Sequence, residues 1–259
     1  MVAQYTPYPD VNEVLDLLHS KASAILGSQM IGMYLYGSLS SGDFNPKSSD
    51  IDFAVVTETT LEPDVISALE KMHAEIWASG SKWAAKLEGS YVPKSLIRRH
   101  DPAGPPCSSV NEGKFFISQL GSDWIIQRNV IRECGVILSG PDPKTLIDPV
   151  FAAEIQQSVR GVLNEWWFPI LADPSWLKEH GSEYHAYTVI SMCRALHALG
   201  HGTIVSKPVA AKWAQKEFGA QWTALIEKAF KAQSGSQPGF LDETLNFLRF
   251  TKEQVESKV

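Results

Sequence analysis

The sequence predicts an α+β protein: a mixed β-sheet carrying helices over residues 1–145, then a helical bundle over residues 146–259. In the first part, apolar strand-like runs alternate with amphipathic helical stretches. A break rich in proline and glycine, Ser139-Gly140-Pro141-Asp142-Pro143, follows the last of those runs. Beyond Pro149 the long stretches carry apolar residues at helical spacing only.

Each element has its own local reason. Asp10 or Asn12 is placed to cap a first helix through Leu26, with Val14, Leu17, Leu18, Ala22 and Ile25 forming one stripe and Gly27 ending it. Met30–Tyr36 reads as a buried strand. Gly37-Ser38 breaks it, and Ser40–Ser49 is a polar loop of turn formers. The chain re-enters a strand at Asp50 and continues through Val56. Pro63 opens a helix to Ala78 whose inner side is Val65, Ile66, Leu69, Met72, Ile76 and Trp77. Leu87–Val92 is a short strand stopped by Pro93. Ile97–Asn111 is dominated by Pro, Gly and Ser and reads as a loop. Asp123–Cys134 is helical, and Val136-Ile137-Leu138 closes the sheet. In the second part, helices are expected over Phe151–Trp167, Glu183–Leu199, Pro208–Phe218, Gln221–Phe230 and Leu241–Lys258, with Trp166-Trp167-Phe168 plugging the core between the two parts.

Composition narrows the function. The chain has 259 residues, 44% apolar and 20% charged, ordinary for a globular protein with a real core. A net charge of −6 argues against a nucleic-acid partner, whose phosphates demand basic surface. The three cysteines, Cys107, Cys134 and Cys193, are far apart and lack paired metal spacing, which suits a reducing, cytoplasmic setting. No apolar run nears the ~18 residues of a membrane span, and the first residues lack the pattern of a signal peptide.

Asp50 and Asp52 carry the chemistry. Residues two apart on a strand share a face, roughly 7 Å apart, so both carboxylates project together while Ile51 and Phe53 point into a core. Two such carboxylates repel unless a cation lies between them, and a hard divalent ion, magnesium above all, meets that need. If Leu87–Val92 pairs beside this strand, Glu88 reaches the same face. It would then complete the metal site, take a proton from an attacking hydroxyl, or simply face solvent.

Gly37-Ser38 followed by Asp50-Ile51-Asp52 on the next strand resembles the signature of the nucleotidyltransferase superfamily. Within it the chain looks most like the aminoglycoside adenylyltransferases that modify streptomycin and spectinomycin. The likeness extends through Asp123…Gly140-Pro141. It returns in Arg194, the Gly200–Gly202 turn and Lys207 followed by Val209-Ala210-Ala211-Lys212-Trp213-Ala214. The resemblance implies a nucleotidyltransferase domain followed by a helical domain. It implies ATP as co-substrate and magnesium held by Asp50, Asp52 and Glu88, with Glu88 as catalytic base. Gly37, Ser38, Ser49, Asp50, Arg194 and Lys207 would bind the nucleotide, and Glu88, Trp176 and Glu183 the antibiotic. A lysine at a helix start opposes the macrodipole unless an anion joins it, which suits Lys207 beside a triphosphate.

The sequence departs from the family where Gly181 and His185 stand in place of expected carboxylates, which leaves the antibiotic open. The expected reaction is transfer of AMP to a hydroxyl of spectinomycin or streptomycin with release of pyrophosphate, conferring resistance. The expected partners are ATP and a small-molecule antibiotic, with no nucleic acid and no membrane, in a monomer. Other acceptors (a lincosamide, a metabolite, a protein) or a silent nucleotide sensor would fit the same fold.

Overall fold

The computed structural model describes residues 4–47, 49–232 and 239–257. Ser48 of the polar loop and Lys258 of the last helix lie outside these. The chain divides into two units, Met1–Pro149 and Val150–Val259.

In the first unit the strands are β1 (Met30–Leu35), β2 (Ile51–Thr57), β3 (Leu87–Pro93), β4 (Cys107–Asn111), β5 (Lys114–Ser118) and β6 (Val136–Ser139). They lie across one sheet in the order β5-β4-β3-β2-β1-β6. Only β2 and β3 run parallel, joined by helix α3 (Pro63–Ala78); the other pairs are antiparallel. Parallel neighbours need such a crossover, whereas the antiparallel β4–β5 pair needs only a tight turn.

Strand alternation gives the sheet two different faces. Ile51, Phe53 and Val55 turn to the face covered by α1 (Pro9–Leu26) and α3, where Val11, Leu15, Leu18, Leu69, Met72 and Ile76 meet them. Tyr34, Tyr36, Ala54, Val56 and Val92 turn to the other face. There they are covered by Leu96 and Ile97 of α4 (Lys94–Arg98), Trp124 and Ile131 of α5 (Asp123–Cys134), and Leu146 of α6 (Pro143–Leu146). Arg128 of α5, 2% exposed, donates from Nε to the Ile97 carbonyl at 2.8 Å and also to the Arg98 carbonyl, tying α5 to the end of α4.

Several expectations are corrected here. Ile97–Asn111 is not one loop: α4 ends at Arg98 and β4 begins at Cys107. Ser108 and Ser109, which read as loop residues, are buried in a strand, where Ser109 Oγ meets Ser90 Oγ at 2.7 Å and so loses no hydrogen bond by leaving water. Gly37-Ser38 does more than break a strand, because it starts a one-turn helix, α2 (Gly37–Ser41). Asn12 caps nothing: its side chain holds Thr6 through three hydrogen bonds, and α1 starts earlier, at Pro9. Trp77 is 46% exposed and lies against the β4–β5 turn, outside the core.

The second unit contains α7 (Ala152–Val162), α8 (Ser175–His201), α9 (Lys207–Phe218), α10 (Ala220–Ala232) and α11 (Leu241–Glu256), with the other four all touching α8. After α7 a π-type turn spans Leu163–Trp167. It breaks the 3.6-residue period, which explains why Trp166 is 55% exposed while Trp167 and Phe168 are buried. Gly181 (φ 69°, ψ −157°) interrupts α8, so helical structure begins before the expected Glu183 yet is not continuous. His185 spans that break. Phe240 N–H donates to its Nδ1 at 3.0 Å, so Nε2 carries the proton and donates to the Leu177 carbonyl at 3.0 Å. Its burial and fixed neutral tautomer make it a structural tie where the family pattern led us to expect a carboxylate. Among the described residues no helix is long and apolar enough to cross a membrane.

One buried histidine couples the sheet to α3. His73 is 3% exposed, its Nε2 2.8 Å from the Tyr91 hydroxyl, and burial pushes its pKa down to about 4. The unfolded chain therefore binds the proton first, and stability contributed at neutral pH is lost as pH falls from about 6.5 towards 4, by up to ~3 kcal/mol. Urea unfolding of His73→Gln should show less loss of stability between pH 7 and pH 4.5 than the wild type. Parallel pH profiles would contradict this reading.

Candidate active site

The site begins with sheet register. Parallel pairing sets Asp52 of β2 opposite Glu88 of β3, and Ile51 opposite Leu87. One step back, the same register sets Asp50 opposite Lys86. Two rows of side chains therefore share one face: Asp50 with Lys86, then Asp52 with Glu88. Neighbouring strands lie about 4.8 Å apart, so the carboxylates of the second row are close by construction.

The second row also continues outwards. Tyr36 donates its N–H to the Asp52 carbonyl at 3.1 Å, carrying the row onto the end of β1. It stands at the edge of the apolar cover formed by α4, α5 and α6. Tyr36 is buried, whereas Asp50 and Lys86 in the next row are half-exposed. The carboxylates thus sit where one face of the sheet emerges from its helices.

Gly37 closes the site from the β1 side. Its φ is 62°, and a Cβ built there would come within 2.0 Å of Asp52 Oδ2. Only glycine tolerates both the backbone angle and that approach. Ser38 follows in α2, its carbonyl accepting from Asp43 N–H at 3.1 Å. Ser49 closes the polar loop: its Oγ accepts from Asn45 N–H at 3.0 Å, and its own N–H donates to the Asn45 carbonyl at 2.8 Å.

Charge is unevenly distributed at this end of the sheet. Burial, and then the negative charges of Asp52, Asp50, Glu112 and Asp123, push the Glu88 carboxyl up to about 7. Burial, then Asp52, Glu88 and Asp123, holds the Tyr36 hydroxyl well above its ordinary range. Lys86 Nζ lies 3.1 Å from Asp50 Oδ1, a half-exposed pair of the kind that contributes little to stability. Among the described residues, no group of three His, Cys, Asp or Glu side chains closes into a ready metal cage. Magnesium commonly takes only one or two protein carboxylates and completes its shell with water and substrate phosphates. The all-oxygen donor set, the glycine cradle on Asp52 and the surplus negative charge fit such an ion.

The other expected site residues lie in the second unit. Trp176 is half-buried among Trp166, His180 and Tyr184, with ring centroids 6.0, 5.1 and 4.9 Å away. Glu183 is exposed just after the Gly181 break. Arg194 is half-buried on α8. Lys207 is the first residue of α9, its Nζ 5.9 Å from the centre of the Tyr187 ring. The structure thus gathers Gly37, Ser38, Asp50, Asp52 and Glu88 at one end of the sheet's inner strands β1, β2 and β3, and carries Trp176, Glu183, Arg194 and Lys207 on α8 and α9.

Lys86 and Glu112 were missed in the sequence. Lys86 stands two residues before Glu88 as Asp50 stands two before Asp52, a symmetry that parallel pairing makes meaningful. Glu112-Gly113 forms a turn with both φ values positive, 47° and 74°; the glycine is a hairpin signal, whereas a glutamate in the first place is unusual and hides the turn.

Both parts of the chain match known families. Residues 20–97 match the family model of the nucleotidyltransferase domain, and residues 145–251 that of the aminoglycoside adenylyltransferase C-terminal domain. An aminoglycoside (3'')(9) adenylyltransferase of Rhizobium radiobacter is 26% identical over 263 residues, spanning 96% of this chain and 93% of the relative. A spectinomycin 9-adenylyltransferase of Campylobacter jejuni is 25% identical, spanning 95% and 94%. The fold is also that of a spectinomycin adenyltransferase from Enterococcus faecialis, solved with ATP and spectinomycin: TM-score 0.75 over 94% of this chain and 98% of that one, at 16% identity. With both units matched in order, the chain joins a nucleotidyltransferase domain to the C-terminal domain of the aminoglycoside adenylyltransferases.

Proposed function

We propose that this protein transfers AMP from ATP to a hydroxyl of spectinomycin or streptomycin, releases pyrophosphate, and so confers resistance in the cytoplasm. The observation that carries the reading is the row in which Gly37 cradles Asp52 and Asp52 faces Glu88. The two relatives named for aminoglycoside and spectinomycin adenylyl transfer support the choice of acceptor.

Each residue has a task in that reaction. The backbone at Gly37-Ser38, with the Ser38 and Ser49 hydroxyls, binds phosphate oxygens; Arg194 and Lys207 add positive charge for the triphosphate. Asp50 and Asp52, with Glu88 beside them, would hold magnesium. When bound, that ion offsets charge on the phosphates and polarises the α-phosphoryl group. Glu88 accepts the proton of the acceptor hydroxyl. The burial and negative neighbours that hold this carboxyl up to about 7 would be offset by a bound cation, so Glu88 would then be ionised and able to accept that proton. The deprotonated oxygen attacks the α-phosphorus in line with the leaving pyrophosphate, forming one P–O bond as the other breaks. Trp176 offers an apolar face to the acceptor's rings and Glu183 an anion to its ammonium groups.

The acidic row costs stability, and that cost has a defined pH window. Because the folded state raises the Glu88 pKa from 4.5 to about 7, the penalty is absent below 4.5, grows as pH rises through the interval and is complete above 7. In chelator at pH 8, Glu88→Gln should be more stable to urea than the wild type by up to ~3 kcal/mol, and equal to it at pH 4. The same variant should lose AMP transfer. A variant less stable at pH 8 would contradict the electrostatic account.

Asp52→Asn should fold normally and lose at least ~1000-fold in pyrophosphate release with ATP, magnesium and a panel of spectinomycin, streptomycin and lincosamides, about 4 kcal/mol of barrier. Turnover near wild type would reject the assignment. Gly37→Ala should cost about 1–2 kcal/mol of stability from its backbone angle alone and abolish turnover by displacing the Asp52 carboxylate. Retained turnover would show that the cradle is dispensable.

A further inference from the structure

The carboxylate row does not stop at Glu88. Pairing of Gly89 with Val110 carries the row from Glu88 to Asn111, and Asn111 pairs with Lys114. The full row is therefore Tyr36, Asp52, Glu88, Asn111 and Lys114, crossing the sheet from β1 to β5. Val110 and Phe115 belong to the core on the opposite face, which confirms that Asn111 and Lys114 look out beside the carboxylates. Both are exposed, and Phe116, 43% exposed, stands one row behind Lys114 on the same face. At about 5 Å per strand, Lys114 lies roughly 10 Å from Glu88 and roughly 15 Å from Asp52.

This row has a direction. Gly37, Ser38 and Asp52, the nucleotide's residues in the reading above, lie on the β1–β2 side of Glu88. An acceptor whose hydroxyl meets Glu88 has β3, β4 and β5 open to it on the other side. The hairpin carrying those residues is held in place: a Cβ at Gly113 would come within 2.0 Å of the Trp77 ring, so the turn rests directly on α3.

Resting on that reading, we propose that the acceptor lies over β4 and β5, and that Lys114 selects among acceptors by charge. Next to the reacting hydroxyl it would meet the neutral amide of Asn111, then the Lys114 ammonium and the apolar Phe116 ring. A neutral or weakly charged hydroxylated ring suits that strip. An acceptor presenting guanidinium groups there meets a like charge, while Glu112 at the hairpin tip acts in the opposite sense. Lys114 touches no reacting atom in this scheme; its role is specificity.

The test is kcat/KM of AMP transfer to streptomycin, which carries two guanidinium groups, relative to spectinomycin, which carries none. It compares the wild type with Lys114→Glu, Lys114→Arg and Glu112→Gln. Charge reversal should raise the streptomycin-to-spectinomycin ratio about fivefold at low salt, through KM rather than kcat, and the gain should shrink as ionic strength rises. Lys114→Arg should keep the wild-type ratio, and Glu112→Gln should lower it. An unchanged ratio in Lys114→Glu, with the wild type active, would overturn the role of Lys114 alone. Failure of the wild type to transfer AMP to either acceptor would overturn the adenylyl-transfer reading and this inference with it.

Discussion

The central constraint is the repulsion between carboxylates that the sheet forces onto one row. Parallel pairing of β2 and β3 leaves Asp52 no alternative to facing Glu88, and the close approach of Gly37 removes the space into which Asp52 would otherwise turn. Burial first, and this repulsion after it, leaves Glu88 protonated over part of the ordinary pH range when no cation is bound. The same arrangement creates a place for a divalent ion and a base. What is unfavourable for stability is what the transfer reaction uses.

The rest of the first unit holds that row still. Ile51, Phe53 and Leu87 bury the opposite face against α1 and α3, so β2 and β3 cannot slip without exposing core residues. On the active face, α4 and α5 cover the sheet up to Tyr36 and leave the next rows open. His73 of α3 and Tyr91 of β3 form a neutral, hydrogen-bonded pair, a buried polar contact that adds no charge to an already acidic neighbourhood. In the second unit, His185 performs a comparable service for α8, fixing the segments on either side of Gly181 with one ring.

How much of this was legible in the sequence depends on the range of the interaction. Asp50 and Asp52 announce a shared face by a spacing of two, and Gly37 announces a turn; both are local facts. Glu88 is different. Its place beside Asp52 depends on a parallel pairing across α3, and its role as base came from family resemblance rather than from spacing. The β4–β5 hairpin was hidden because Ser108 and Ser109 look like loop residues until the hydroxyl of Ser90 is found opposite. Trp166 was misplaced because a π-type turn does not appear in a period count, and Lys86 and Lys114 acquire meaning only from register. Composition carried least: net charge and cysteine count narrowed the class of partner and said nothing about the site.

The most direct measurement is the titration of the Glu88 carboxyl itself, followed by carbon-13 NMR of selectively labelled protein and assigned with Glu88→Gln. The account predicts a midpoint near 7 in chelator, moving down towards the ordinary carboxylate range when magnesium and a non-hydrolysable ATP analogue are added. A midpoint near 4.5 under both conditions would contradict it, because Glu88 would then share neither burial nor charge with the aspartates.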